Sequence, residues 1–382
     1  ETLLGVGSSK AVHYTADTDV ETISAFIKIQ QDWLFFHLSF EAISILKKEH
    51  PYSKDKIGFS PLTFFVPRYV IRFSSENIEI GSLEEDHDEI HQQIISESIF
   101  KEIKSQSVEI TSAISKDSYL KKVEGLLAHI QRGDCYEINF CQEFYSDNAE
   151  INPLQTWHSL CKISPNPFSV YYKVETAYLL SASPERFLCK KGNKLISQPM
   201  KGTIRRDLEN PQHDEALRYS LQHSKKDQME NVMVVDLVRN DLSRVCREGT
   251  VNVSELFGIY SFPQVYQMVS TVEGIIQEGI TFMDIIDACF PMGSMTGAPK
   301  HRVIELIRGF EDGPRGLFSG SVGYITPEGD FDMNVVIRSI LYNEITNYVS
   351  FMTGSGITAL SEAEKEYEEC LLKGAAIRRV LS

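Results

Sequence analysis

The chain has 382 residues, 42% of them hydrophobic and 24% charged, ordinary proportions for a globular protein with a large core. Its formal net charge of -15 argues against a nucleic-acid partner and requires that any anionic substrate be met by a local positive site. No stretch is apolar enough to span a bilayer: 59–73 comes nearest, but Pro61, Pro67, Arg68 and Arg72 interrupt it.

Seven cysteines, at 135, 141, 161, 189, 246, 289 and 370, are scattered, odd in number and without metal-ligand spacing. They are expected to be reduced thiols of a cytoplasmic protein. The opening residues carry no signal-peptide pattern. In chain order, 1–115 is expected to form an N-terminal lobe and 116–382 the catalytic region of a single fold. The polar stretch 81–117, acidic at Glu84, Glu85, Asp86, Asp88 and Glu89, reads as a solvated join between them.

The spacing of Leu120, Val123, Leu127 and Ile130 predicts an amphipathic helix over 118–132, stopped by Gly133. Alternation of Tyr136, Ile138 and Phe140 with Glu137 and Asn139 predicts a strand over 135–145. Further strands are expected at 168–172, 178–182, 187–190 and 194–197, the last two joined by Lys191-Gly192-Asn193. A helix follows over 225–246. A hairpin is expected from 320–325 through Pro327-Glu328-Gly329-Asp330 and back along 335–341, then a strand over 347–353 ending in Gly354-Ser355-Gly356. Ser361 with Glu364 predicts a capping box on a last helix. Hairpins without regular strand–helix alternation favour α+β over a doubly wound sheet. No G-x-G-x-x-G or Walker loop signals a nucleotide, and ten histidines without ligand spacing give no zinc site.

Several short segments could carry chemistry. Lys201, in Pro199-Met200-Lys201-Gly202-Thr203, follows a strand-like stretch. It becomes a nucleophile if its surroundings lower its pKa, to which Arg205 and Arg206 are expected to contribute; a solvated lysine is the plain alternative. Asp227 and Glu230 share one helix face, and Glu366 and Glu369 repeat the spacing. Two such helices could converge on a hard cation, Mg²⁺, or simply face solvent. Gly293 to Lys300 is a small-residue loop opening a helix, either an anion site or a tight turn. Gly354-Ser355-Gly356 is either an amide nest or a chain reversal. Arg338, among apolar residues, either pairs with a substrate carboxylate or forms a structural salt bridge. Glu185 lies just past an apolar strand, where burial would raise its pKa towards that of a general acid; pairing with Arg186 is the alternative. Asp236, Arg239, Asp241 and Arg244 read as a surface ion-pair ladder.

Together these segments resemble the chorismate-utilising enzymes, which include anthranilate, isochorismate and aminodeoxychorismate synthases. The resemblance runs from about Lys116 to the C-terminus. It rests on Gly133-Asp134-Cys135-Tyr136-Glu137-Ile138-Asn139, Ser183-Pro184-Glu185-Arg186-Phe187, the stretch from Met229 to Leu242, and Thr296-Gly297-Ala298-Pro299-Lys300. Gly323-Tyr324-Ile325, Ile337-Arg338-Ser339 and Gly354-Ser355-Gly356-Ile357 complete it. It implies an anthranilate-synthase-component-I-like fold, a sandwich-like core of mixed or antiparallel sheets flanked by helices. Within the family, Lys201 resembles the lysine of aminodeoxychorismate synthases, where anthranilate synthases typically carry alanine. The implied chemistry is addition of Lys201 at C2 of chorismate, protonation of the departing C4 hydroxyl by Glu185, and entry of ammonia at C4. Implied Mg²⁺ contacts are Glu230 and Glu369, with Asp227 and Glu366 nearby. Implied carboxylate contacts are Tyr324, Arg338, Thr296, Lys300 and the amides of Gly354, Ser355 and Gly356. Glu137 stands where the family often has glutamine, and the water-activating lysine of isochorismate synthases is absent. No cysteine lies in a Gly-x-Cys-x-Gly elbow, so a separate glutamine amidotransferase subunit is implied as the ammonia source. The alternatives are anthranilate synthesis, disfavoured by Lys201, and a silent chorismate-binding subunit, disfavoured by Lys201, Glu185 and both acidic helices occurring together.

Overall fold

A computed structural model describes residues 2–48, 55–97 and 107–382. Local chemistry sets the helix ends. Ser115 caps Lys116–Gln131 by accepting from the Ser118 amide, and Gly133, at φ 82°, turns the chain away. The buried stripe of that helix is Tyr119, Val123, Leu126 and Ile130. It is shifted from the expected one because Tyr119 fills the space against Phe140 and Tyr367. Ser224 caps Lys225–Ser243 by accepting from the Asp227 amide.

Every strand pairing is antiparallel among the described residues. A seven-stranded sheet runs Gly297–Ala298, Glu137–Ser146, Tyr348–Thr358, Ser339–Asn343, Ala177–Ser183 and Phe168–Val174, with Thr111–Ser112 added on Glu137–Ser146. A ten-stranded sheet runs Met200–Arg205, Val265–Ile275, Lys194–Gln198, Arg186–Lys191, Phe331–Asn334, Ser321–Ile325, Leu34–Leu38, Leu62–Val66 and Lys10–Tyr14. Asn252–Ser261 also pairs with Val265–Ile275. A small third sheet joins Thr2–Val6, Tyr69–Phe73 and Ile78–Ser82. One core takes Phe36, Phe64 and Phe331 from the larger sheet and Phe140, Phe144 and Phe351 from the smaller. The α+β class is as the sequence implied.

Three local expectations change. The hairpin after Ser321–Ile325 returns along Phe331–Asn334 only; residues 335–338 then carry the chain to the smaller sheet, where Ser339–Asn343 begins. A continuous apolar run hides this crossing, since Val335 and Val336 are buried in it. Gly354, Ser355 and Gly356 belong to the long strand Tyr348–Thr358 and pair with Cys141, Phe140 and Asn139, so they form no nest. The last helix, Ala363–Leu381, is preceded by Glu362 without a side-chain cap, while Ser361 accepts from the Thr358 amide instead.

Candidate active site

The chain crosses between the two large sheets at Pro184-Glu185 and again at 335–338, and the two crossings touch: the Val335 amide donates to the Glu185 carbonyl oxygen at 3.0 Å. Ser183 Oγ donates to the Val335 carbonyl at 2.6 Å and accepts from the Glu185 amide at 3.2 Å. Glu185 is thereby fixed at the seam, 5% exposed. Arg186 does not pair with it, being held by Asp332 and Gln198. The Glu185 carboxyl accepts from Ser294 Oγ at 2.8 Å. Burial pushes its pKa up to about 7, against that hydrogen bond and the charge of Lys201.

Lys201 is aimed inward by a bulge. Met200 and Thr203 pair with Val269 and Gln267, three steps against two, and Gly202 sits at φ 88°, where a β-carbon would stand 2.9 Å from the Asp227 Cβ. The Lys201 ammonium donates to Glu137 Oε1 at 2.7 Å, with side-chain exposures of 15% and 4%. Burial works to lower its pKa, but Glu137, with Glu230 and Glu185 adding, outweighs it, and the net direction is up. The expectation of a depressed lysine is therefore wrong for this arrangement. Arg205 is exposed, and Arg206 is committed to Asp214 at 2.9 Å. Among the described residues, Glu137 Oε2 has no hydrogen-bond partner.

Arg315, 2% exposed, ties the site's elements together. Its guanidinium donates to the carbonyls of Asn139 at 2.8 Å and Met295 at 2.7 Å, and pairs with Glu311 at 2.7 Å. The strand carrying Glu137 is so joined to the loop carrying Ser294. Neither Ser294 nor Arg315 was singled out from the sequence, and the Glu137–Lys201 pair was not foreseen; the one signal was the departure at Glu137.

Among the acidic residues, Glu230 and Glu369 come from different helices yet both lie in the fields of Lys201 and Lys226. Burial raises the Glu230 pKa; for Glu369 burial acts the same way, but Lys373 at 2.7 Å outweighs it and holds the carboxyl low. Glu366 is 7% exposed and Asp227 packs on Gly202. The described residues gather no group of three or more His, Cys, Asp or Glu that could hold a metal ion, so the four carboxylates do not form one such cluster. The donor chemistry of Glu230 and Glu369, hard carboxylate oxygen only, fits a magnesium ion that takes two protein carboxylates and completes its shell with water and substrate.

Of the expected carboxylate contacts, Arg338 is half-buried, donates to the Lys373 carbonyl at 3.0 Å, and has its pKa pulled down by burial, with Glu369 opposing. Lys373 also donates to the Gly354 carbonyl at 2.9 Å. Thr296 is fully buried and donates to the Met292 carbonyl at 3.0 Å. Lys300 is committed to Asp241 at 2.6 Å and the Cys289 carbonyl at 3.0 Å. The supposed surface ladder therefore splits: Asp236 and Arg239 pair on the surface, while Asp241 is buried against Lys300 and Arg244 donates to the Ala288 carbonyl. Tyr324 lies beside Trp33, ring centres 5.7 Å apart. Gly356 leaves the room in which Glu137 and Lys201 meet: a β-carbon there would stand 2.8 Å from Glu137 Oε1 and 3.1 Å from Lys201 Nζ.

Residues 7–379 match the family described as chorismate binding enzyme. The chain is 39% identical over 270 residues to the probable chloroplastic aminodeoxychorismate synthase of Oryza sativa subsp. japonica, covering 70% of this chain and 30% of that one. It is 37% identical over 268 residues to aminodeoxychorismate synthase component 1 of Bacillus subtilis (strain 168), covering 70% and 56%. The chain thus spans about a third to just over half the length of these relatives. The crystal structure of anthranilate synthase component I from Streptococcus pneumoniae TIGR4 superposes with TM-score 0.88 at 22% identity, over 99% of this chain and 92% of that one, a likeness of fold.

Proposed function

Because the chain belongs to the chorismate-binding enzymes, we propose that it aminates chorismate at C4, as an aminodeoxychorismate synthase component I, giving 4-amino-4-deoxychorismate for 4-aminobenzoate and folate synthesis. The observation that carries this reading is a half-buried lysine, Lys201, paired with Glu137 and within the field of Glu185. The relatives named for this activity support it.

Lys201 Nζ, once neutral, bonds to C2 of chorismate; the two ring double bonds shift and the C4–O bond breaks. Glu185, whose raised pKa of about 7 keeps a share of its carboxyl protonated near neutral pH, gives its proton so that the hydroxyl leaves as water. Ammonia then bonds to C4, the double bonds shift back, and the C2–N bond breaks to release the lysine. Arg338, which donates to the Lys373 carbonyl, is proposed as the partner of a substrate carboxylate. Magnesium, held by Glu230 and Glu369, would supply countercharge for the dianionic substrate. Seven free cysteines, six of them buried, favour a reducing compartment such as the cytoplasm. No described helix is long and apolar enough to cross a membrane.

Ammonia is expected from a separate glutamine amidotransferase subunit. The test is turnover of chorismate with Mg²⁺ and either ammonium salt or glutamine. Ammonium is expected to support the chain alone, and glutamine only after an amidotransferase is added; efficient use of glutamine by the chain alone would contradict the reading.

A further inference from the structure

Lys201 presents a difficulty for a nucleophile, because it rests as an ammonium, without a lone pair, in an enclosed place. A base must take its proton where it stands. One acceptor is in position: Glu137 Oε1, at 2.7 Å from Nζ. Glu137 is 3% exposed and sits at the start of Glu137–Ser146, paired on one side with Ala298 and on the other with Thr358, so its direction is fixed by two strands. Its other oxygen has no partner, which leaves Lys201 as the donor to this carboxylate among the described residues. The other acidic groups around Lys201 are engaged elsewhere. Glu185 holds Ser294 and is needed as an acid, Glu230 belongs to Lys225–Ser243 beside Lys226, and Glu369 is paired with Lys373.

We propose that Glu137 is the catalytic base for Lys201, taking the Nζ proton onto Oε1 as the amine attacks and returning it when the amine is released. The proposal rests on the amination reading. The balance is closed: Lys201 ammonium and Glu137 carboxylate become amine and carboxylic acid, the lone pair so freed forms the N–C2 bond, and cleavage of that bond restores a neutral amine that recovers the proton from Glu137. The pair gains and loses no proton over the cycle, while Glu185 is reprotonated from solvent.

A shuttle of this kind has a pH signature that a merely structural pair lacks. In the wild type the proton stays inside the pair, so Lys201 contributes no acid limb to kcat. In Glu137→Gln the proton must leave to solvent, so a limb of slope one is expected, with kcat falling by at least about tenfold at the acid end and recovering as pH rises. KM for chorismate is expected within about threefold of wild type, and Glu137→Asp should restore the flat profile in part. A Glu137→Gln enzyme with wild-type kcat across the acid range would overturn the proposal. An assay without chorismate keeps it separate from the amination reading: the pH midpoint for labelling of Lys201 by an amine-reactive acylating agent, read by peptide mass spectrometry. Loss of the carboxylate should move that midpoint down, and an unchanged midpoint overturns the proposal even if the wild type does not aminate chorismate.

Discussion

At Lys201 burial disfavours the ammonium while Glu137, Glu230 and Glu185 favour it, and the carboxylates win. Arginine in its place would keep the charge and the pair with Glu137, yet is effectively never deprotonated. Lys201→Arg and Lys201→Ala are therefore both expected to lose about 10³-fold or more in single-turnover rate, about 4 kcal/mol of barrier, with chorismate binding largely kept. A near-active arginine variant would reject the covalent role. Glu185 carries a second prediction. As a general acid with its pKa pushed up to about 7, it is progressively deprotonated as pH rises through 7, so kcat should decline on the alkaline side. Glu185→Gln should abolish that limb together with nearly all activity; a wild-type rate that stays level from pH 6 to 9 would remove the assignment. The residue types at both positions were legible in the sequence, but the sign of the lysine's shift was not. It depends on a carboxylate 64 positions earlier in the chain.

Among the elements, the site is built from the strand bearing Glu137, the bulged strand bearing Lys201 and the loop bearing Ser294. Arg315 is the main tie between the first and the third. Truncating it leaves Glu311, buried at 3% side-chain exposure, without its cation and frees the carbonyls of Asn139 and Met295. Arg315→Ala is expected to cost about 3–5 kcal/mol in urea unfolding, and a loss below about 1 kcal/mol would show that the tie is dispensable. Periodicity and Gly133 made the helix over 116–131 legible, and alternation did the same for the strand from 137. The pattern failed where its meaning is set by neighbours. Gly354 sits in a strand because a β-carbon there would stand 2.3 Å from the Phe140 carbonyl oxygen, a close approach that glycine in a sequence announces only as a turn. Residues 335–341 read as one strand because burial on both sides of a crossing looks the same as burial within a strand.

At the scale of the whole molecule, the site lies where the two large sheets exchange chain, and the N-terminal residues are part of the larger one: Leu34–Leu38 pairs with Ser321–Ile325 across nearly three hundred positions. Such a long-range pairing leaves no local mark in sequence, so composition alone gave no sign of how residues 1–115 join the rest of the single fold. The net charge of -15 implies local positive groups for any anionic substrate, and Lys201, Lys226, Arg338 and Lys373 lie near the acidic faces of two helices. That gathering supports the proposed amination at C4, which rests first on Lys201 and its pairing with Glu137. The most direct test is product identity. The purified chain is incubated with chorismate, Mg²⁺ and ammonium salt, and the quenched mixture is resolved by chromatography with mass detection. The product expected is 4-amino-4-deoxychorismate, lost in Lys201→Ala; anthranilate as the main product of the wild-type chain would contradict the account.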